Sequence, residues 1–339
     1  MAVRLPDRKQ EQSAEARPRN EVRARIWLLL FSLVVAAAMS EAGLRLFLHQ
    51  RLSWEQDERN LMYHYDEQLG WFPIPNSSNR FTGSRTVSIE HNRLGFRGPE
   101  PVRNGKPGIL FLGDSFVWGF DAEASERFTE KLQTRHPEWN IYNLGVSGYG
   151  TDQEYLLLQK YFEQYQPQVV FLMFCTDNDD SDNCWNVRGG YYKPYVTLEG
   201  TRLRLNGIPV PRAERVFCAE HPALCRWYLV RLLTRAWFRL TAPAPIKNPN
   251  PTGPILRDMQ KYVQSKGATF VIGVERSQPY LEDFLRYFKI PYVDVTTPLR
   301  YSSHGEHWTP EGHAFVCEKI DEFLVRGKFA ETANLKSPE

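Results

Sequence analysis

The stretch Gly108-Ile109-Leu110-Phe111-Leu112-Gly113-Asp114-Ser115-Phe116 constrains the fold more than any other part of the chain. Four consecutive apolar residues bounded by glycines read as a strand buried on both faces, as strands are in a parallel sheet covered by helices. The turn that follows carries a serine. Ligands of open α/β sheets bind beyond the carboxyl ends of the strands, so Ser115 stands where chemistry is done, before a helix whose backbone N–H groups can face an anion. Gly113 lets the chain turn there with no Cβ in the way.

The residues after this strand repeat its pattern. A helix is expected near 125–135, a strand over 140–144, an amphipathic helix over 152–165 and a buried strand over 168–174. Strand, helix and strand at this spacing give βαβ units and a parallel sheet. A helix near 254–265, a strand over 268–273, another helix, a strand over 291–295 and a last helix over 310–325 complete the set. Five strands with covering helices make a flavodoxin-like three-layer α/β/α sandwich, here over 106–328. After the third strand the alternation stops, and 184–252 forms a large extension with a hairpin near 194–205 and a helix over 223–240. An insertion of this size on the ligand-binding edge reads as a lid or specificity element. Residues 49–105 read as a β-containing lead-in with a candidate strand over 85–89, and 329–339 as a C-terminal tail.

The N-terminus has a different character. Residues 1–25 are polar and rich in arginine and read as a disordered tail. The run from Ile26 to Ala38 is apolar, and 26–48 as one helix would reach about 34 Å, enough to cross a bilayer with Glu41 and Arg45 paired four residues apart near the far side. The basic flank places the tail in the cytoplasm. The flank is long and no clean Ala-x-Ala site precedes a polar stretch, so an uncleaved signal anchor fits better than a cleaved signal peptide. The rest of the chain then lies outside the cytoplasm, where a disulfide between Cys218 and Cys225 can form.

Several classes are disfavoured. A formal net charge of only +2 makes no electrostatic case for nucleic acid. There is no Walker or dinucleotide fingerprint. The five cysteines show no zinc spacing, and His304, His307 and His313 lack the carboxylates that would favour a metal, so no metal and no cofactor are expected. Cys175 and Cys317 read as small buried hydrophobes. The acidic run Asp177, Asp179, Asp180 and Asp182 reads as loop capping, and His313 as a structural residue of the last helix.

Three further strand ends give Ser115 its context. The second strand ends in Asn143-Leu144-Gly145-Val146-Ser147-Gly148-Tyr149-Gly150, a glycine-rich turn with exposed N–H groups. The third runs into Thr176-Asp177-Asn178, which supplies a side-chain amide. His304-Gly305-Glu306-His307 precedes the last helix and supplies an imidazole. A nucleophile, two kinds of oxyanion donor and a base are the requirements of acyl transfer.

On these four motifs, in this order, the chain resembles the SGNH (GDSL-type) esterases and acyltransferases over roughly 94–325. The resemblance implies Ser115 as nucleophile and His307 as general base, with the N–H groups of Ser115 and Gly148 and the amide of Asn178 forming the oxyanion hole. Leu94-Gly95-Phe96-Arg97-Gly98, the Asn178-Asp179-x-x-Asp182-Asn183 run and the N-terminal anchor look like a branch from bacterial envelope and exopolysaccharide systems. That branch implies a single-pass protein of the bacterial inner membrane with its catalytic domain in the periplasm or outside. Its substrate would be an acylated carbohydrate bearing small O-acyl groups, foremost acetyl. If the acyl group is transferred rather than hydrolysed, a multi-pass membrane partner must bring the donor across, because one apolar segment cannot. The family's Asp two or three residues before the catalytic His is absent, since those positions are Gly305 and His304. Loss of that acid costs a serine triad on the order of 10⁴ in kcat. A backbone carbonyl is the first candidate to orient His307, ahead of Glu306 and Asp294. The missing acid also leaves a second reading, a non-catalytic glycan-binding or assembly subunit on the same scaffold.

Overall fold

The computed structural model describes residues 19–53, 58–102, 104–327 and 329; of the tails expected over 1–25 and 329–339, residues 1–18 and 330–339 lie outside the described residues. Helix α1 (Arg19–Phe47) is followed by the short helices α2 (His49–Leu52) and α3 (Glu58–Met62). Two antiparallel hairpins come next, β1 (Tyr63–Asp66) with β2 (Gly70–Pro73) and β3 (Ser78–Thr82) with β4 (Thr86–Glu90). β5 (Gly108–Leu112) leads through α4 (Ser115–Trp118) and α5 (Phe128–Arg135) to β6 (Asn140–Asn143), α6 (Thr151–Tyr165) and β7 (Val169–Phe174). The extension carries α7 (Asp179–Cys184), the ladder of β8 (Val187–Arg188) and β9 (Tyr191–Tyr192), and the hairpin of β10 (Tyr195–Glu199) and β11 (Arg202–Asn206), then α8 (Glu214–Glu220) and α9 (Tyr228–Thr241). The alternation resumes with α10 (Thr252–Ser265), β12 (Thr269–Val274), α11 (Pro279–Tyr287), β13 (Tyr292–Asp294) and α12 (Pro310–Arg326).

The chain divides into two compact units, one of 1–54 with 223–235 and one of 55–222 with 236–339. In the first, α1 starts at Arg19, inside the stretch expected to be a tail. Glu21, Val22, Arg23, Ala24 and Arg25 include good helix formers, with Glu21 and Arg25 at the favourable spacing of four. The helix is long and apolar enough to cross a membrane, and almost none of it is buried. Arg45 and Glu41 pair at 2.7 Å, one turn apart.

The second unit holds the sheet, whose strands run parallel in the order β13-β12-β7-β5-β6. From the first sheet strand this is the 2-1-3-4-5 order of flavodoxin-like folds, the arrangement the sequence led us to expect. The period of two divides each central strand between two cores. Leu110, Leu112, Val170, Leu172 and Phe174 join Leu157, Leu158, Ile255 and Met259 from α6 and α10. Ile109, Phe111, Val169, Phe171 and Met173 join Phe128, Leu132, Val316 and Ile320 from α5 and α12. The lead-in belongs to the first of these cores through Trp71, Phe72, Val87, Ile89 and Phe96. Cys218 and Cys225 are disulfide-bonded, while Cys175, Cys184 and Cys317 are free and buried.

Arg97 of the lead-in is 2% exposed and has a defined task. Its guanidinium donates to the carbonyls of Ser88, Trp118, Gly119 and Ala122, so one cation collects the backbone just beyond α4. Burial, then the neighbouring Arg127, lowers its pKa to about 9. Truncating the strand that carries the serine tests this frame. Phe111→Ala leaves a cavity among Phe128, Phe171 and the α12 side chains, and urea unfolding should show a loss of about 3–5 kcal/mol.

Candidate active site

Ser115 opens α4 directly beyond β5, and Asp114 caps that helix by accepting from the Phe116 N–H at 3.0 Å. Glycine is required at 113 by close approach. A Cβ there would lie 2.4 Å from the Val117 side chain and 3.2 Å from the Met173 carbonyl. His307 comes from the loop before α12, and its Nε2 lies 2.7 Å from Ser115 Oγ. Gly148, in the turn after β6, has φ +78°, and a Cβ there would lie 2.9 Å from Arg59 Nη1. Asn178 stands at the N-cap position of α7 with its side chain not engaged in a capping bond. Its Nδ2 gives one hydrogen to Asp114 Oδ2 at 3.1 Å, which leaves the second for another acceptor. Ser115, Gly148, Asn178 and His307 line one cleft of about 740 Å³, together with Arg59 and Arg188. The four motif residues converge.

No family model and no curated protein matches the chain. Among solved structures, it is similar to a lipolytic protein of the G-D-S-L family from Veillonella parvula, at 12% identity and TM-score 0.39, over 65% of this chain and 98% of that one. A psychrotrophic esterase from Pseudoalteromonas gives 11% identity and TM-score 0.37 over 65% and 98%. A two-domain esterase active on acetylated mannans gives 12% and 0.36, over 65% of this chain and 49% of its own. At these values the functional reading rests on the residues at the sheet edge.

Neither acidic candidate reaches the imidazole. Asp294 accepts from the N–H and hydroxyl of Thr296 at 2.8 and 2.5 Å, and Glu306 pairs with Arg276 at 3.3 Å. The His304 backbone carbonyl acts on His307 and favours its protonated form, but the contact falls short of full hydrogen-bond geometry and Nδ1 has no hydrogen-bond partner. The ring is held by packing. Phe120 stacks on it with centroids 4.3 Å apart and planes 21° from parallel, and Phe116 lies at 5.1 Å. The same packing desolvates the imidazole. Burial, only partly opposed by the His304 carbonyl, lowers the His307 pKa to about 4.

A cluster of buried acids includes Asp114, the residue before Ser115. Asp114, Glu154 and Asp179 are almost wholly buried, and burial raises the pKa of each. Both carboxyl oxygens of Glu154 lack a hydrogen-bond partner. The run that includes Asp179 is engaged in ion pairs and hydrogen bonds. Asp177 pairs with Arg276, Asp180 accepts from Asn250 and Tyr280, Asp182 pairs with Arg188, and no metal cluster occurs among the described residues. His313 is buried and its Nδ1 faces the Phe128 N–H at 3.4 Å. Sequence reasoning did not single out Phe120 or Glu154. An aromatic five residues beyond the serine carries no signal of its own, and Glu154 reads as an ordinary residue of an amphipathic helix.

Two measurements follow from this geometry. The neutral imidazole persists down to about pH 4, so the acid limb of kcat/KM falls near pH 4 and not near 6.5. The folded pKa lies below the unfolded one, so the unfolded chain binds more protons between the two, and His307 lowers stability as pH drops from about 6.5 to about 4. Removing the stacked ring in Phe120→Ala rehydrates the base and moves the limb up by about one pH unit, which a loss of packing alone does not do. Asn178→Ala should lower kcat by about 10²–10³ with a smaller change in KM, as removal of an oxyanion donor does.

Proposed function

We propose that this chain is a serine-dependent ester hydrolase or O-acyltransferase acting through an acyl-serine intermediate. The observation that carries the reading is the 2.7 Å contact of Ser115 Oγ with His307 Nε2 in a cleft shared with Gly148 and Asn178. Oγ gives its proton to Nε2 as it bonds to the ester carbonyl carbon. The N–H groups of Ser115 and Gly148 and the Asn178 amide receive the charge that develops on the carbonyl oxygen. The imidazolium then protonates the departing alcohol. Water or a second hydroxyl, deprotonated by the same Nε2, releases the acyl group.

The substrate we favour is a small acyl ester, foremost acetyl, on an envelope or extracellular polysaccharide. The N-terminal apolar helix supports a membrane-anchored protein of the bacterial inner membrane with the catalytic unit outside the cytoplasm, where the disulfide-bonded cysteines are at home. In the transferase version a multi-pass partner presents the acyl donor. The unpartnered Nδ1 of His307 favours a second reading, a glycan-binding subunit on an inactive scaffold.

One experiment separates them. In the full chain held in detergent, a fluorophosphonate probe should label wild type, and p-nitrophenyl acetate should turn over. Both signals should vanish in Ser115→Ala and His307→Ala, with turnover down by on the order of 10⁴ or more. Release of acetate from an O-acetylated polysaccharide then tests the substrate. A folded wild type that neither labels nor turns over, yet retains the polysaccharide, establishes the binding subunit.

A further inference from the structure

Helix α9 has an apolar side that stands exposed among the described residues. Along Tyr228–Thr241 the arginines 231, 235 and 239 recur every four residues, while Leu229, Leu232, Leu233, Ala236, Trp237 and Leu240 fall on the other side of the helix. Leu233, Trp237 and Leu240 are 61%, 64% and 85% exposed, and Leu232 is 37% exposed. The basic side is engaged, since Arg231 donates to the carbonyls of Leu52 and Cys225, and Arg235 to that of Arg51. The stretch 223–241 contains no acidic residue.

The start of α9 is fixed to α1 at a defined level. Glu41 accepts from the N–H groups of Tyr228 and Leu229 at 3.0 and 2.9 Å, and Arg45 stacks over the Tyr228 ring at 5.0 Å. Glu41 is the first charge after the uncharged run 26–40, which as a helix spans about 22 Å of a hydrocarbon core of about 30 Å. A helix capped by Glu41 therefore begins about 8 Å inside the far edge of the hydrocarbon, within the depth of about 5–10 Å to which interfacial helices are set. Interfacial helices have this make-up, with an apolar face set into the acyl boundary, tryptophan at headgroup depth and cations toward phosphate. Trp227 and Leu224, 57% and 53% exposed, extend the same chemistry to the approach of the helix.

We propose that α9 is an interfacial helix that inserts Leu232, Leu233, Trp237 and Leu240 into the surface of the bilayer that α1 crosses, with the exposed Arg239 toward anionic headgroups. This inference rests on the reading of α1 as a membrane anchor. The membrane is the occupant because the exposed stripe starts at the depth Glu41 sets and is flanked only by positive charge.

The test reconstitutes the full chain in phosphatidylcholine–phosphatidylglycerol vesicles with lipids brominated either near the headgroup or near the chain ends. The emission of Trp27, in α1, and of Trp237 is obtained by difference from Trp27→Phe and Trp237→Phe. The expected result is quenching of both, with Trp237 losing more emission to headgroup-proximal bromines than to those at the chain ends. If Trp27 is quenched and Trp237 is not, the interfacial helix is overturned and the anchor stands. A Trp237 that is unquenched and also closed to aqueous iodide overturns it in favour of a protein covering the stripe. If neither tryptophan is quenched, the anchor reading fails and this one fails with it.

Discussion

Two stretches of backbone approach each other at the sheet edge with no side chain between them, and the site depends on that approach. A Cβ on Gly145 would lie 2.3 Å from the backbone nitrogen of Trp118, so the turn after β6 lies directly on the helix that carries Ser115. Hydrogen bonds keep it there. The Val146 N–H donates to Gly113 O at 3.0 Å, and Asn143 Nδ2 donates to Val117 O at 2.7 Å. Any side chain at 145 would push the turn after β6 outward and carry Gly148 away from Ser115. The placement of the proposed oxyanion donors is thus a packing property of glycine before it is a matter of catalytic chemistry.

The lead-in contributes from the opposite direction. Arg97 ties four carbonyls on both sides of it into one buried guanidinium, one at the end of α4 and two in the segment that follows it. A buried carbonyl left without any donor costs roughly 1–3 kcal/mol. Phe120 lies in that same segment, so the residue that stacks on His307 is positioned by an arginine that touches neither reacting group. The lead-in is therefore part of the site's support.

Much of this was legible in the chain. Strands such as β5 and β7 are uninterrupted apolar runs, and the glycines at 113, 145 and 148 mark turns, so the sheet and its reactive edge follow from local pattern. Hairpins β1 to β3 were not legible, because Tyr63-His64-Tyr65-Asp66 and Gly70-Trp71-Phe72-Pro73 are short and do not alternate cleanly. The absence of an acid before His307 was evident, whereas its replacement by ring packing was not, since stacking between residues so distant in sequence leaves no spacing to read. Arg97 looks like any surface cation until its carbonyls are seen. The start of α1 was misplaced because arginine-rich sequence suggests a tail, although those residues are compatible with a helix.

The loop that delivers His307 has a backbone few sequences would choose. His304, Gly305 and Glu306 lie at φ 51°, 87° and 52°, three left-handed residues in succession, two of them with side chains. Each non-glycine residue there costs roughly 1–2 kcal/mol. The conformation persists because neighbours impose it: Ser84 bonds to Ser303 at 3.0–3.1 Å, Arg276 pairs with Glu306, and the Tyr301 N–H donates to the His307 carbonyl at 2.9 Å. Strain held only by outside contacts is released when those contacts loosen, well before a sheet of fully buried strands gives way. On warming, His307 is expected to drift from Ser115 while the sheet is still folded, so the proposed chemistry would be lost before the shape.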